Sequence, residues 1–150
     1  MTLYGRHALG IDDEADNRDL AERLLERVDF KVYVAANGSQ ALTVLGDAPV
    51  ISIALVDHNL PDMNGLELIK ILRSTSLKMT LIMFTVNDEP ALIESAFAAG
   101  ANMFIVKPYG FMELYRALKD PNSKILECSD CQVIDVHGIR QYRAVEALRH

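Results

Sequence analysis

Five short apolar runs, each followed by an amphipathic segment, restrict the fold of this chain more than any other feature. The runs are Ala8–Ile11, Lys31–Ala35, Ser52–Val56, Thr80–Thr85 and Met103–Val106; Val, Ile and Phe are frequent in them, and most are apolar on both alternating faces. A strand with no wet side is expected in a parallel sheet covered by helices on both faces. Between the runs, apolar residues recur every three or four positions. One stripe is Leu20, Leu24, Leu25 and Val28, and a shorter one is Ala41, Leu42 and Leu45. Leu66, Ile69 and Leu72 form the next, then Leu92, Ile93, Ala96 and Phe97, then Phe111, Leu114, Tyr115 and Leu118. That spacing predicts helices with one buried face. Turn residues separate the elements at Asn37-Gly38, Gly46-Asp47, Pro61, Asn64-Gly65, Asn87–Pro90 and Gly100. Strand then helix, repeated with short connections, implies an open α/β sheet with right-handed crossovers over residues 1–119.

Residues 120–150 break the rhythm. Asp120-Pro121-Asn122-Ser123 reads as a linker, and after Gly138 the residues Ile139, Tyr142, Val145 and Leu148 recur every third position. This predicts a C-terminal amphipathic helix over 139–149, too short to persist in water without a packing surface. The expected surface is the face of the helices that contain Leu92–Phe97 and Phe111–Leu118. Cys128 and Cys131 form a C-x-x-C, but the intervals to His137 and His150 do not fit common zinc modules, and two ordinary thiols is the better reading.

Charge excludes several functions. With 15 Lys+Arg against 21 Asp+Glu the net charge is −6, which argues against binding nucleic acid through phosphate neutralisation. No apolar run approaches the roughly 20 residues a membrane span needs, and the first residues lack a secretory leader's apolar core. A cytoplasmic protein is expected.

In an open parallel sheet, functional residues lie beyond the carboxyl ends of the strands. Here that rule collects Asp12, Asp13 and Glu14 after the first strand, Asp57 after the third, Thr85 on the fourth and Lys107 after the fifth. An Asp-Asp pair after a strand also serves simply as a helix N-cap. Three clustered carboxylates repel one another, however, and a hard divalent cation such as Mg²⁺ resolves the conflict. A carboxylate can also act as a nucleophile and form an aspartyl-phosphate, with a metal and a cation balancing charge on the phosphoryl oxygens. Lys107 can supply that cation, and Thr85 a hydrogen bond.

At these residues the chain resembles the receiver domain of two-component response regulators. The matching stretches are Ile11-Asp12-Asp13-Glu14, Leu55 through Gly65, Thr85, Ala98–Ala101 and Phe104-Ile105-Val106-Lys107-Pro108. The resemblance implies a flavodoxin-like five-stranded sheet of order 2-1-3-4-5. It makes Asp57 the acceptor of a phosphoryl group from a histidine kinase or phosphotransfer protein. It assigns Mg²⁺, with Mn²⁺ able to substitute, to Asp13, Asp57, the Asn59 backbone carbonyl and, through water, Asp12. Thr85 and Phe104 match the pair that moves on phosphorylation, and the Lys107-Pro108 peptide is expected to be cis. The expected partners are the kinase and a downstream protein or fused output domain, with a homodimer through the 89–118 face or the C-terminal helix. Such a module modifies only itself and is not otherwise an enzyme. Three positions depart from the family pattern: Gly10 implies a weakened first strand or one closely approached by a neighbour, Val86 is expected to crowd the phosphate site, and Phe104 lacks a tyrosine hydroxyl. The other classes weighed were a degenerate receiver used for docking, a phosphatase of the haloacid-dehalogenase type and a flavodoxin.

Overall fold

The computed structural model describes residues 6–47, 50–76, 78–122, 132–135 and 138–142. Five parallel strands, β1 (His7–Ile11), β2 (Lys31–Ala35), β3 (Ile53–Val56), β4 (Thr80–Thr85) and β5 (Met103–Val106), lie in the order β2-β1-β3-β4-β5. They alternate with α1 (Ala15–Glu26), α2 (Gly38–Asp47), α3 (Gly65–Thr75), α4 (Pro90–Ala99) and α5 (Tyr109–Lys119). The strand pattern separates two apolar layers. Leu9, Ile11, Val56, Leu81, Met83 and Phe104 pack with residues of α2, α3 and α4 on one face. Ala8, Ile53, Leu55, Ile82, Phe84 and Ile105 pack with α1 and α5 on the other. The residue of α1 turned to the sheet is Ala21 and not the expected Leu20, which is 43% exposed. Helix α1 lies over Gly10, and a small residue suits that close crossing.

The expected five-stranded sheet is in fact seven-stranded. Strand β6 (Gln132–Asp135) runs parallel to β5, and β7 (Gly138–Gln141) returns antiparallel to β6. Residues 139–141 are therefore a strand where the three-residue spacing predicts the start of a helix. The remainder of that expected helix, Cys128, Cys131, His137 and His150 lie outside the described residues. The tertiary setting outweighs the periodicity: without β6, the outer edge of β5 would leave its backbone donors and acceptors unpaired between α4 and α5. Gly138, at φ 102°, supplies a backbone conformation that other residues resist. The expected contact with α4 is nevertheless made, since the Tyr142 ring lies 4.7 Å from that of Phe97.

Two polar devices hold the frame. The Arg73 guanidinium donates to the carbonyls of Gly100, Ser76 and Met79 and to Asn102 Oδ1, tying the end of α3 to the entries of β4 and β5. The β3–α3 loop is pinned at several points. Asn64 Oδ1 accepts from Glu67 N at 2.9 Å and caps α3. Gly65 N donates to His58 O at 2.8 Å, and a Cβ on Gly65 would overlap the Asp57 carbonyl oxygen. Asp62 reaches across to α2, accepting from Gly38 N and Ser39 N at 2.9 Å each. Those two bonds hold the Asp62 carboxyl below its ordinary range.

The two features lead to opposite stability changes. A Cβ on Gly10 would meet only Ala21 Cβ, at 3.7 Å, an ordinary contact. Gly10→Ala should therefore stabilise the protein by about 1 kcal/mol, through reduced unfolded-state entropy and one more buried methyl. A Tm raised by roughly 2–4 °C checks this. Because the folded state depresses the Asp62 pKa, its contribution is present above the unfolded value of about 3.9 and is lost as pH falls through the folded value. Asp62→Asn should thus be less stable than the parent at neutral pH, and the gap should close as pH falls below about 4. Denaturant midpoints of both proteins across that range provide the measurement.

Candidate functional site

The carboxyl ends of β1, β3, β4 and β5 bring the sequence-predicted residues to one edge. The sheet ladder continues one residue past β1 and β3, with Asp12 N donating to Ala35 O at 3.1 Å and Asp57 N to Ile11 O at 3.0 Å. Both aspartates are thus fixed by backbone, and both are buried, at 4% and 8% exposure. Asp13 beside them is exposed. Oxygens of Asp12, Asp13 and Asp57 all lie within 4.8 Å of one another.

Lys107 enters from β5, its N–H donating to Thr85 O at 2.9 Å. Its ammonium lies 2.5 Å from Asp12 Oδ2 and 3.7 Å from Asp57 Oδ1. It also sits 4.9 Å above the Phe84 ring, a distance at which a cation is attracted to the ring face. One ammonium therefore faces three carboxylates. Burial pushes the Asp57 carboxyl above its ordinary pKa; Lys107 opposes that most, Asp12 reinforces it, and the His58 and Asn59 amides draw it down. The donor set, three hard oxygen ligands short of positive charge, fits a divalent cation of the Mg²⁺ type.

The remaining predicted residues fall into place unevenly. Thr85 is buried at the end of β4, with Oγ1 3.5 Å from Asn87 N. Phe104 is fully buried in the α4-side layer and lies opposite Met83 in register, away from the acidic edge. Asn59 pairs with Asn64 and, with Asp13, His58, Pro61 and Met63, lines an open groove beside the carboxylates. Val86 is 66% exposed and is not among the groove-lining residues. The Lys107-Pro108 peptide is cis, as the resemblance implies. The simple N-cap role is filled differently: Glu14 holds the cap position of α1 without a side-chain bond, and its N–H donates to Asp12 Oδ1 at 3.0 Å.

Sequence reasoning missed two supports. Arg18 Nη1 donates to the Asp12 carbonyl at 2.7 Å, one turn into α1. Phe84, adjacent to Thr85, carries the ring beneath Lys107. An aromatic residue on the face of β4 opposite Thr85 was the available signal for the second.

The geometry agrees with comparisons to known proteins. The family model of the response regulator receiver domain matches residues 8–119. The two-component response regulator ORR11 of rice is 31% identical over 104 residues, covering 68% of this chain and 71% of that protein. A chemotaxis protein CheY homolog of Campylobacter jejuni is 33% identical over 115 residues, covering 75% and 88%. Among solved structures, a CheY-like receiver domain protein from Methanospirillum hungatei superposes with a TM-score of 0.69 at 28% identity, covering 76% and 90%. Chemotaxis protein CheY4 of Vibrio cholerae superposes with a TM-score of 0.69 at 28% identity, covering 76% and 96%. With a flavodoxin-like sheet and an acidic cluster at the edge where its strands end, the chain belongs to the response regulator receiver domain family.

Proposed function

We propose that this chain is a phosphorylatable signalling module in which Asp57 accepts a phosphoryl group from a histidine kinase or histidine phosphotransfer protein. The observation that carries this reading is the buried Asp57 carboxylate with a lysine ammonium 3.7 Å away and two further carboxylates beside it. An Asp57 oxygen attacks phosphorus, and the bond from phosphorus to the donor nitrogen breaks with its electron pair going to the leaving imidazole. Lys107 is placed to take up charge on the phosphoryl oxygens, and the Thr85 hydroxyl to donate to one of them. Mg²⁺, or Mn²⁺ in its place, would be held by Asp13, Asp57, the Asn59 carbonyl and, through water, Asp12, and would supply charge neutralisation for the incoming anion. Thr85 and Phe104 then transmit the change to a surface read by a downstream protein. The module catalyses only its own phosphorylation and dephosphorylation, in the cytoplasm. Among the described residues no helix is long and apolar enough to cross a membrane. The complete acidic set argues against a docking-only role. The buried acceptor beside Lys107 follows β3, unlike the nucleophile of a haloacid-dehalogenase phosphatase after the first strand.

Acetyl phosphate with Mg²⁺ should add one phosphoryl group by intact mass, and Asp57→Asn or chelation of the metal should abolish the addition. Persistence of the mass shift in Asp57→Asn would falsify the assignment. Asp13→Asn should weaken Mg²⁺ roughly tenfold or more, since even supporting residues around a metal are worth that much. Its metal-free stability should hold level or rise, because one repulsive charge has been removed. A Mg²⁺ titration and a thermal melt of the same variant separate the two effects.

A further inference from the structure

Beyond α5 the chain covers its own sheet edge, with β6 parallel to β5 and β7 returning antiparallel to β6. Val133 lies opposite Phe104 in register and joins the α4-side layer, while Ile134 lies opposite Ile105 and joins the α5-side layer. The Tyr142 ring packs on Phe97 of α4. On the other flank, a Cβ on Gly110 would come within 2.5 Å of Ile134 O and 2.7 Å of Ile105 Cγ2. The first turn of α5 therefore needs a residue without a side chain for β6 to seat. Glycine inside a helix costs about 1 kcal/mol relative to alanine, so its presence in that turn suits the hairpin rather than the helix.

We infer that residues 132–135 and 138–142 are an interaction element held in cis. They occupy the surface formed by β5, α4 and α5, and they loosen from it when Asp57 carries a phosphoryl group. This rests on the function proposed above. Lys107, immediately after β5, is hydrogen-bonded through its backbone to Thr85, and its ammonium lies closer to Asp12 than to Asp57. A phosphoryl group on Asp57 concentrates more negative charge there and competes with Asp12 for that ammonium. The pull acts at the end of the strand whose other edge carries β6. The hairpin is packed against the geometry with Lys107 on Asp12, so a state that displaces the end of β5 must bind it less well. Loosening is local, since two strands of four residues at the end of a sheet open without the central strands. The chain that links them to α5 keeps return intramolecular. A second copy approaching the 89–118 face meets the hairpin first.

Hydrogen exchange of the full chain tests this, with and without Mg²⁺ and beryllofluoride, a stable mimic of a phosphoryl group. Amides of 132–135 and 138–141 should exchange at least about fivefold faster with the mimic bound, the lower end of ordinary coupling between sites. Those of β1 and β3 should not speed up, since a ligand bound to the folded state stabilises it, and Asp57→Asn should show no response to the mimic. Phosphoryl uptake from acetyl phosphate, followed by intact mass in the same preparation, keeps the two readings apart. Uptake with unchanged hairpin exchange overturns the cis element alone; absence of uptake overturns the phosphoacceptor reading and this inference with it. Gly110→Ala should speed hairpin exchange without any mimic while β1 and β3 stay protected. Tyr142→Ala, which inserts no atoms, should shift exchange in the same direction. A hairpin equally protected in both variants would overturn the seating argument.

Discussion

The ammonium of Lys107 is the charge on which the acidic edge depends. Two buried carboxylates and a third exposed one, all within 4.8 Å, repel each other strongly in a site poor in water. Backbone amides from residues 58 and 59 relieve part of this at Asp57, and the Glu14 amide relieves part at Asp12. Among the described residues only Lys107 brings a full positive charge into ion pairs with the two buried carboxylates, and it reaches both from a different strand. Breaking a buried ion pair by removing one partner commonly costs about 3–5 kcal/mol, because the other charge is left uncompensated. The arrangement is therefore poised: an added cation or an added phosphoryl group each changes what Lys107 must balance.

The loop between Asp57 and Gly65 shows how local chemistry keeps Asp57 in place. Three side chains cap helix amides here: Asn64 caps α3, Asn37 caps α2 locally, and Asp62 caps α2 from the loop with both carboxylate oxygens. The loop is thus fastened to two helices. Gly65 lies so close to the Asp57 carbonyl that any side chain would push Asp57 away. Asn64-Gly65 reads in the sequence as a turn, and its second duty comes from what lies against it.

Strands β1 to β5 were legible because most are apolar runs with no polar face, and their observed limits differ from the expected ones by at most one residue at an end. The acidic edge was legible because parallel strands must present their carboxyl ends together. Three features were not. Ala21 rather than Leu20 faces the sheet because Gly10 leaves room for a close helix, and that depends on the pairing of two elements. The main partners of Asp62 are remote in sequence; the amides that donate to it lie 24 and 23 residues away. The spacing of Ile139 and Tyr142 suits a helix as well as it suits a short strand and the residue after it. The deciding factor was an unpaired edge on β5, which no window of residues around 139 contains.

The same topology divides fixed charges from a movable one. Asp12 and Asp57 follow β1 and β3, central strands whose described side chains are almost entirely buried on both faces. Opening either would expose the core, so their positions carry the stability of the whole domain. Lys107 follows β5, which has the rigid centre on one side and a short hairpin on the other. On its outer side β5 meets only that hairpin and the flanks of α4 and α5, while its inner edge is paired with β4. On the proposed function, anions anchored to the centre and a cation mounted near the edge would form a two-position device. Its cation can shift between Asp12 and Asp57 without unfolding the strands that hold them.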